Sequence, residues 1–488
     1  MQLIKELVTV DHHSDTPVYL QITNAFIQNI RKGRLRKGLK LPGSREAAEL
    51  LGINRMTMVA AYQELDAQGW IEMLPRKGTF VRSDLPLLTP AKISGESRIA
   101  TLPSGTAFSY DEKRIVPAPL HDFLPSGALV LNDGFPDPRL MPIDELMRTM
   151  RSLSRLPANR KYLMYGGAQG TEALREKLAA FLADTRGLPV TKNNILITRG
   201  AQMGIYLAAS IIVSPGEDII VGTPGYFSGN LTFQQVGARI NAVPVDEEGM
   251  NIEAVEKLCK KKKIRLVYVI PHHHNPTTVM LTPERRLRLL QLAAKYKFAI
   301  IEDDYDYDFH YSSKPMMPMA SLDGNGSVVY IGTLTKTLAP AIRIGFIVAP
   351  ENFIRTATYL RKHIDTQGDS LMENAIAQLY SDGTISRYIK RSVKIYKERR
   401  DHFCSLLHNE LGEHISFRVP DGGMSVWTKF MTANLPEVAV KAAKKGLIMS
   451  DGTKHNSPAV QYNAARLGFA SLNEKELEQA VRILKGIL

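Results

Sequence analysis

The chain has 488 residues, 44% hydrophobic and 23% charged, a balance that excludes a disordered protein and predicts a globular one with two or three domains. The formal net charge of +13 favours a polyanionic partner, although the position of the charges matters more than their sum. Only Cys259 and Cys404 are present, and no signal-peptide core or run of about 18 apolar residues occurs, so we expect a cytoplasmic protein without a disulfide framework or membrane contact.

The N-terminal stretch combines a helix with a basic segment. Apolar residues at helical spacing predict a helix from Pro17 that ends near Gly33. Between Gln28 and Arg45 lie seven Lys or Arg residues and no acidic residue. Because a charge run is usually only a solvated face, this segment alone does not establish nucleic-acid binding.

Two short helices follow with a tight turn between them. Ser44 is predicted to cap the first helix, which runs to Leu51, and Gly52 opens the turn. Asn54 is predicted to cap the second helix, which ends at Gly69. Two short helices joined by a glycine-containing turn are typical of the helix-turn-helix motif.

The second helix of this motif has an exposed end suited to DNA. Burial of Val59, Tyr62 and Leu65 leaves residues 55–57 exposed at its N-terminus, where a recognition helix meets bases and phosphates. Two short strands, 70–73 and 79–82, are then predicted around a basic tip.

The segment from Pro17 to Val81, with its Leu-Pro-Gly-Ser-Arg turn and closing Gly-Thr-Phe-Val, closely resembles the GntR-type winged helix-turn-helix domain. The resemblance implies that double-stranded operator DNA is a partner. The residues that it assigns to DNA contact are Ser44, Arg45, Arg55, Thr57, Lys77 and Gly78.

Residues 83–120 lose hydrophobic periodicity and predict a linker between a DNA-binding domain, 1–82, and a larger domain, 121–488. In the larger domain, β-rich runs alternate with helical segments, which predicts an α/β fold with a mainly parallel sheet. The predicted strands are 194–198, 218–221, 264–270, 298–303, 328–332 and 344–348.

Polar and small residues recur at the carboxyl ends of these strands, where ligands bind in sheets of this kind. Lys336 offers an amine that can condense with a carbonyl, and Thr333, Thr335 and Arg343 offer donors for a phosphate. The free amides of a helix that opens at Gly200, Ala201 and Gln202 favour a phosphate as well.

A second group of residues suits a heteroaromatic ring. Tyr226 is expected to stack on it, Asn275 and Tyr305 to hydrogen-bond a phenolic oxygen, and Asp303 to pair with a pyridinium nitrogen. Together with Lys336, these residues predict a site for pyridoxal 5'-phosphate.

From about Asn132 onward the chain resembles fold-type I aminotransferases, and with its N-terminal domain it is similar to the MocR/GabR regulators. The matching segments include NDGFPDPRLMP, ITRGAQMGIYLA, EDDYDYDF, GTLTKTLAPAIRIGF and RLGFA. The resemblance implies a small C-terminal lobe and a head-to-tail homodimer. It also implies that Lys336 carries the cofactor, that Asp303 and Tyr305 hold its ring, that Thr333 and Arg343 hold its phosphate, and that Arg466 binds an amino-acid carboxylate.

Ser228 and Gly222 depart from the family pattern. Ser228 stands where some members carry an arginine for a second carboxylate, which disfavours a long ω-amino acid held at both ends. Gly222 stands where a glutamate is common.

Two motifs suggest metal binding, but the sequence favours another interpretation of each. Three adjacent histidines, 272–274, cannot easily aim at one ion. The acidic run comprises Glu302, Asp303, Asp304, Asp306 and Asp308. It indicates one aspartate that binds the ring, with solvated neighbours, more strongly than it indicates a magnesium site.

Three functions remain open from the sequence. The favoured one is a transcription regulator that binds pyridoxal phosphate and senses an amine or amino acid. The alternatives are a regulator that senses pyridoxal phosphate itself and a catalytically active aminotransferase with an accessory DNA-binding domain.

Overall fold

The computed structural model describes residues 2–12, 14–85, 104–106, 108–118, 128–311, 316–457 and 460–488. The chain divides into two compact units, residues 1–109 and 110–488. More than half of the predicted linker, namely residues 86–103, 107 and 119–120, lies outside the described residues. Within the described residues, no helix is both long and apolar enough to cross a bilayer.

The N-terminal unit is a small helical domain with a three-stranded sheet. Its elements are α1 (Gln2–Leu7), α2 (Val18–Arg31), β1 (Lys40–Leu41), α3 (Ser44–Leu51), α4 (Arg55–Ala67), β2 (Ile71–Leu74) and β3 (Gly78–Val81). The strand order is β1-β3-β2, and both pairings are antiparallel. The predicted helix-turn-helix and two-stranded wing are thus confirmed, whereas α1 and β1 were not predicted.

Local chemistry explains where the helices of this unit begin. The Asn54 side chain accepts a hydrogen bond from the backbone amide of Met56 at 2.8 Å, which confirms the predicted cap of α4. The predicted cap of α3 is wrong: Gly43 is the cap residue, and Ser44 is the first helical residue. Met58 is fully buried, whereas Val59, predicted to be buried, is partly exposed.

The C-terminal unit contains a large α/β layer followed by a smaller lobe. The first strand of the unit is β4 (Leu129–Leu131). The elements of the large layer are α5 (Ile143–Arg155), α6 (Glu172–Arg186), β5 (Ile195–Thr198), α7 (Gly200–Ile212), β6 (Asp218–Thr223), α8 (Phe227–Gln235), β7 (Arg239–Asp246), β8 (Gly249–Met250), α9 (Ile252–Cys259), β9 (Ile264–Val269), α10 (Pro283–Tyr296), β10 (Ala299–Asp304), β11 (Val328–Thr333), β12 (Gly345–Val348), α11 (Glu351–Asp365) and α12 (Ser370–Ser381). The lobe comprises α13 (Thr384–Leu411), β13 (Ile415–Phe417), β14 (Ser425–Phe430), α14 (Leu435–Lys444), β15 (Leu447–Met449), β16 (Ala464–Gly468) and α15 (Glu474–Lys485).

One eight-stranded sheet organises the large layer, in the order β5-β12-β11-β10-β9-β6-β7-β8. The strands from β11 to β7 in this order run parallel, and β12 is antiparallel to both β11 and β5. Apolar clusters lie against the sheet, as expected for strands that are buried on both faces. The α/β fold with a mainly parallel sheet is confirmed.

The C-terminal lobe is built on the antiparallel sheet β13-β14-β16. A separate parallel pair joins β15 to β4, so the lobe includes a strand from the start of the unit. The last helix, α15, begins with the predicted capping box between Asn473 and Glu476.

Candidate functional site

Lys336 lies in the loop after β11 and is enclosed by aromatic rings and a backbone carbonyl. Its ammonium donates a hydrogen bond to the Gly134 carbonyl at 2.5 Å and lies 4.3 Å from the Phe135 ring centre and 6.0 Å from that of Tyr305. Burial lowers the pKa of Lys336 to about 7, with a further contribution from the charge of Arg466. A substantial fraction of this amine is therefore neutral and nucleophilic at neutral pH.

Asp303 near the end of β10 presents one free carboxylate oxygen. Its Oδ2 accepts a hydrogen bond of 2.6 Å from the Tyr268 hydroxyl on β9, while its Oδ1 is buried without a hydrogen-bond partner. Burial raises the pKa of Asp303 to about 7. A cationic ring nitrogen at Oδ1 would satisfy this oxygen and favour the ionised carboxylate.

The acidic neighbours of Asp303 were expected to be solvated, and this expectation is wrong. Glu302, Asp304 and Asp306 are all buried. Glu302 accepts hydrogen bonds from two backbone amides, Asp304 accepts one from the Tyr330 hydroxyl, and Asp306 lies 3.0 Å from Nδ1 of His273. Within the described residues, no group of three or more His, Cys, Asp or Glu side chains is arranged to hold a metal ion.

The predicted phosphate donors lie at the ends of β11 and β5. The Thr333 and Thr335 hydroxyl oxygens are 2.9 Å apart. Arg343 precedes β12 and donates a hydrogen bond from Nη2 to the Arg199 carbonyl at 2.9 Å. Gly200, the first residue of α7, has a φ of +75° and lies directly against the Arg343 guanidinium. The structure therefore brings the Arg343 guanidinium to the N-terminus of α7.

Replacing Gly200 by alanine is expected to weaken cofactor binding by about 10-fold to 100-fold, the effect of losing one charge-assisted hydrogen bond. A Cβ at Gly200 would lie 2.7 Å from Nη2 of Arg343 and would displace the guanidinium. Gly216→Ala is the matched control, because Gly216 has a φ of +85° but no atom within 4 Å of its added Cβ. Titration of each variant with pyridoxal phosphate tests this, and equal losses in both variants would contradict the assigned role.

Tyr226 and Gln202 connect the site to α8. The Tyr226 hydroxyl donates to Oε1 of Gln202 at 3.3 Å, and Nε2 of Gln202 donates to the Ser228 carbonyl at 3.2 Å. Ala201 is partly exposed next to Gln202 in the first turn of α7. The Gln202 side chain thus positions Tyr226, and only its backbone amide remains for the predicted phosphate contact.

Tyr305 and Asn275 lie near the loop after β9. The Tyr305 hydroxyl donates a hydrogen bond to the His273 carbonyl at 2.9 Å. Asn275 is half-buried two residues further along that loop. The two residues predicted to meet a phenolic oxygen are therefore close in the fold.

Arg466 on β16 is buried on the side of the site formed by the C-terminal lobe. Its Nε donates to the Asp133 carbonyl at 3.0 Å, whereas its Nη1 is buried without a hydrogen-bond partner. The Asp133 carboxylate forms an ion pair with Lys454. A ligand carboxylate would satisfy the unpaired guanidinium nitrogen.

The residues predicted to contact DNA lie in the N-terminal unit, described by itself. Arg45 and Arg55 are exposed on the first turns of α3 and α4, and Lys77 and Gly78 are exposed at the tip of the wing. Ser44 and Thr57 are partly exposed. No acidic residue lies between Gln28 and Arg45, so the segment that leads into α3 is positively charged, whereas α3 itself also carries Glu46 and Glu49.

Two site residues were missed by the sequence interpretation. Tyr268 lies within an apolar strand and was therefore not predicted. A tyrosine in a buried strand nevertheless indicates that its hydroxyl has a hydrogen-bond partner. Phe135 lies in the segment NDGFPDPRLMP. Its contact with Lys336 was not predicted, because the two residues are about 200 positions apart along the chain.

The polar groups of the site fit pyridoxal 5'-phosphate. Oδ1 of Asp303 suits the ring nitrogen, and the enclosed amine of Lys336 suits the aldehyde. Arg343 and the N-terminus of α7 suit the phosphate.

Comparisons with known proteins agree with this geometry. Residues 131–484 match the aminotransferase class I and II family, and residues 18–81 match the gntR family of bacterial regulatory proteins. The chain is 26% identical to the probable rhizopine catabolism regulatory protein MocR of Rhizobium meliloti, over 98% of this chain and 95% of that protein.

Two aminotransferases are similar to the C-terminal unit. Aromatic-amino-acid aminotransferase 1 of Thermococcus litoralis is 30% identical over 74% of this chain and 87% of that protein. The crystal structure of kynurenine aminotransferase from Pyrococcus horikoshii, in complex with PMP, superposes with a TM-score of 0.69 at 28% identity, over 74% of this chain and 91% of that one.

Proposed function

The chain belongs to the aminotransferase class I and II family and carries a gntR-family helix-turn-helix domain, and we propose that it is a regulator that binds pyridoxal 5'-phosphate at Lys336 and senses an amine or amino acid. The observation that carries this proposal is the coexistence of two intact sites in one chain. One is a helix-turn-helix with exposed basic residues, and the other combines the enclosed amine of Lys336 with the buried Asp303 carboxylate, whose Oδ1 has no hydrogen-bond partner.

Each residue of the second site has a defined task in this proposal. When bound, the cofactor supplies an aldehyde and an electron-withdrawing ring. Lys336 provides the amine that holds it, and Asp303 holds a proton at the ring nitrogen. Arg343 binds the phosphate, and Arg466 orients an incoming amino acid by its carboxylate.

Contacts of α8 suggest how ligand binding is communicated. Tyr226 precedes this helix, and Gln235 ends it. The Gln235 side chain accepts a hydrogen bond from the Val116 amide at 2.8 Å and donates to the Arg114 carbonyl at 3.3 Å. The chain that arrives from the DNA-binding unit is therefore attached to the helix that begins at the cofactor site.

DNA binding in the presence of candidate ligands tests the proposal. Protein loaded with pyridoxal phosphate is titrated with a panel of amines and amino acids, and operator affinity and DNA bending are recorded with the absorbance spectrum. We expect one class of amine to change both the spectrum and the DNA complex, because a ligand shifts an equilibrium only through differential binding. A spectral change without any change in affinity or bend would refute the coupling.

The pH dependence of cofactor loading follows from the lowered pKa of Lys336. Since the pKa of this amine in the folded protein is about 7, its neutral form predominates above that pH. The rate of loading is expected to rise through about pH 7 and then level off, whereas an ordinary lysine side chain continues to gain reactivity up to about pH 10.4. Stopped-flow absorbance measures this, with Nα-acetyl-lysine as the control, and a rate that still rises above pH 9 would contradict it.

The same shift affects stability. Between about pH 7 and pH 10.4 the unfolded chain binds a proton at Lys336 that the folded chain lacks, so this group makes unfolding less favourable as the pH rises through that window.

An active aminotransferase is the second candidate function. The lowered pKa of Lys336 favours it, because an efficient general base has a pKa near the operating pH. Sustained conversion of a 2-oxo acid at about 1 per second or faster would support this candidate. A single half-turnover would support the regulator, and a response to pyridoxal phosphate alone would identify the cofactor itself as the signal.

We also propose a homodimer. Leu163, Met164 and Tyr165 are 68%, 67% and 88% exposed, an apolar group that a second copy of the chain would cover. Light scattering is expected to give a mass of twice the 54.4 kDa of one chain. The Leu163→Asp variant is expected to have a measured mass closer to that of the monomer. A monomeric wild-type protein at micromolar concentration would contradict this.

A further inference from the structure

A buried histidine without a hydrogen-bond partner lies beside Arg466. His455 ends the short 3-10 turn Thr453–His455 between β15 and β16 and is only 6% exposed. Within the described residues, neither of its ring nitrogens has a hydrogen-bond partner. The Gly225 backbone favours its protonated form but does not meet hydrogen-bond geometry. Because burying an unpaired polar group is unfavourable, a ligand that forms hydrogen bonds with these nitrogens would be bound favourably.

A ring contact with Trp427 places His455 at the sheet face that carries Arg466. Trp427 on β14 lies directly opposite Arg466 on β16, and side chains opposite each other on neighbouring strands share a face of the sheet. The rings of Trp427 and His455 meet edge to face, with centres 5.2 Å apart. The tryptophan thus holds the imidazole next to the predicted carboxylate-binding arginine.

A second buried histidine approaches from the large layer. Nδ1 of His274 lies 3.1 Å from the Thr277 hydroxyl. A Cβ at Gly222 would lie 3.2 Å from the other ring nitrogen of His274, so the missing side chain at Gly222 leaves room there. His274 is within electrostatic range of both Arg466 and His455.

Both imidazoles are neutral at neutral pH. Burial lowers the pKa of His455 to about 4, assisted by the charge of Lys454, and burial beside Arg466 lowers the pKa of His274 to about 3. A neutral imidazole presents one N–H donor and one lone pair. This combination suits a hydroxyl or a carboxamide, each of which donates and accepts.

Other ligand side chains fit less well. An apolar side chain would leave the imidazole nitrogens unpaired. A second carboxylate cannot donate a hydrogen bond, and the nearby cation Lys454 is already paired with Asp133.

We infer that His455, together with His274, forms a subsite for the side chain of the amino acid whose carboxylate Arg466 binds, and that this subsite selects amino acids with a hydroxyl or carboxamide side chain. The inference rests on the proposed function and names the ligand class of the same site.

Matched pairs of amino acids test the subsite. Full-length protein loaded with pyridoxal phosphate is titrated with threonine against valine, glutamine against methionine, and tyrosine against phenylalanine, and the apparent Kd is taken from the absorbance change. The wild type is expected to prefer the polar member of at least one pair by about 10-fold or more. His455→Phe keeps the packing against Trp427 and is expected to remove that preference without weakening the apolar member. His408→Phe, at an exposed site on α13, is the control.

A separate measurement distinguishes selection from a structural role. Thermal unfolding of cofactor-free His455→Phe is expected at a temperature equal to or above that of the wild type, because the substitution removes unpaired buried nitrogens. If the His455→Phe variant does not fold, the His455→Leu variant is measured in its place. Equal weakening of both members of every pair, or no preference in the wild type, would overturn the subsite while leaving the proposed function intact. The absence of a Lys336-dependent absorbance band would instead refute the proposed function, and the subsite with it.

Discussion

Lys336→Ala is expected to abolish the visible absorbance band of the protein with pyridoxal phosphate and to remove every effect of amines on DNA binding. Among the described residues assigned to the cofactor, Lys336 is the one that carries a primary amine, so no partial response should remain. DNA affinity without ligand should stay within about twofold of the wild type, because the recognition helix belongs to the other unit.

Two controls separate the amine from its charge and from folding. Lys336→Arg keeps a cation in the same place but cannot condense, and it should resemble Lys336→Ala. Lys260→Ala removes an exposed lysine and should behave as the wild type. If amines still altered the DNA complex of Lys336→Ala, sensing would not pass through this residue, and the aminotransferase-like unit would be a scaffold.

Arg55→Ala is expected to weaken operator binding by about 10-fold to 100-fold, the range for losing one charged contact to a base or phosphate. Arg55 is exposed at the first turn of α4, where the cap formed by Asn54 fixes the start of the recognition helix. If its contact is to a phosphate, the slope of log affinity against log salt should fall by about 1. Fluorescence anisotropy at several salt concentrations measures both quantities.

Arg82→Ala is the matched control for this experiment. Arg82 is also an arginine of the N-terminal unit and is partly exposed, but its guanidinium forms two 3.1 Å hydrogen bonds to Asp84. Its loss should leave affinity nearly unchanged. Equal effects of the two substitutions would mean that overall charge, and not the position of Arg55, determines binding.

The α/β fold was predictable because six of the eight strands of the central sheet carry a local signal of their own, whereas β7 and β8 were not predicted. The runs around Ile264 and Val328 are apolar over most of their length, and the run that begins at Ala299 is apolar over its first half, as expected for buried parallel strands. The strand ends then marked Asp303 and Lys336, because ligands gather at that edge of such a sheet.

What the sequence could not predict depends on partners that are distant along the chain. From the sequence alone, Asp304 and Asp306 are predicted to be solvated. In the structure, Asp304 accepts a hydrogen bond from the Tyr330 hydroxyl, and Asp306 lies next to His273. The helix α1 is too short to have a clear periodicity, and Ile4 becomes part of a core only when α2 and α3 are in place. His455 was not predicted as a site residue, because only the fold shows that its ring nitrogens are buried without a hydrogen-bond partner among the described residues.

The pairing of β4 with β15 has a consequence for the nascent chain. These strands are about 320 residues apart, so at 5–20 residues per second β4 waits about 16–64 s on the ribosome for its partner. Arg466 and its contact with Asp133 are completed later still. The N-terminal unit needs only the first 85 residues and can fold within seconds. During each round of translation, the DNA-binding unit therefore exists for that interval without the site proposed to control it.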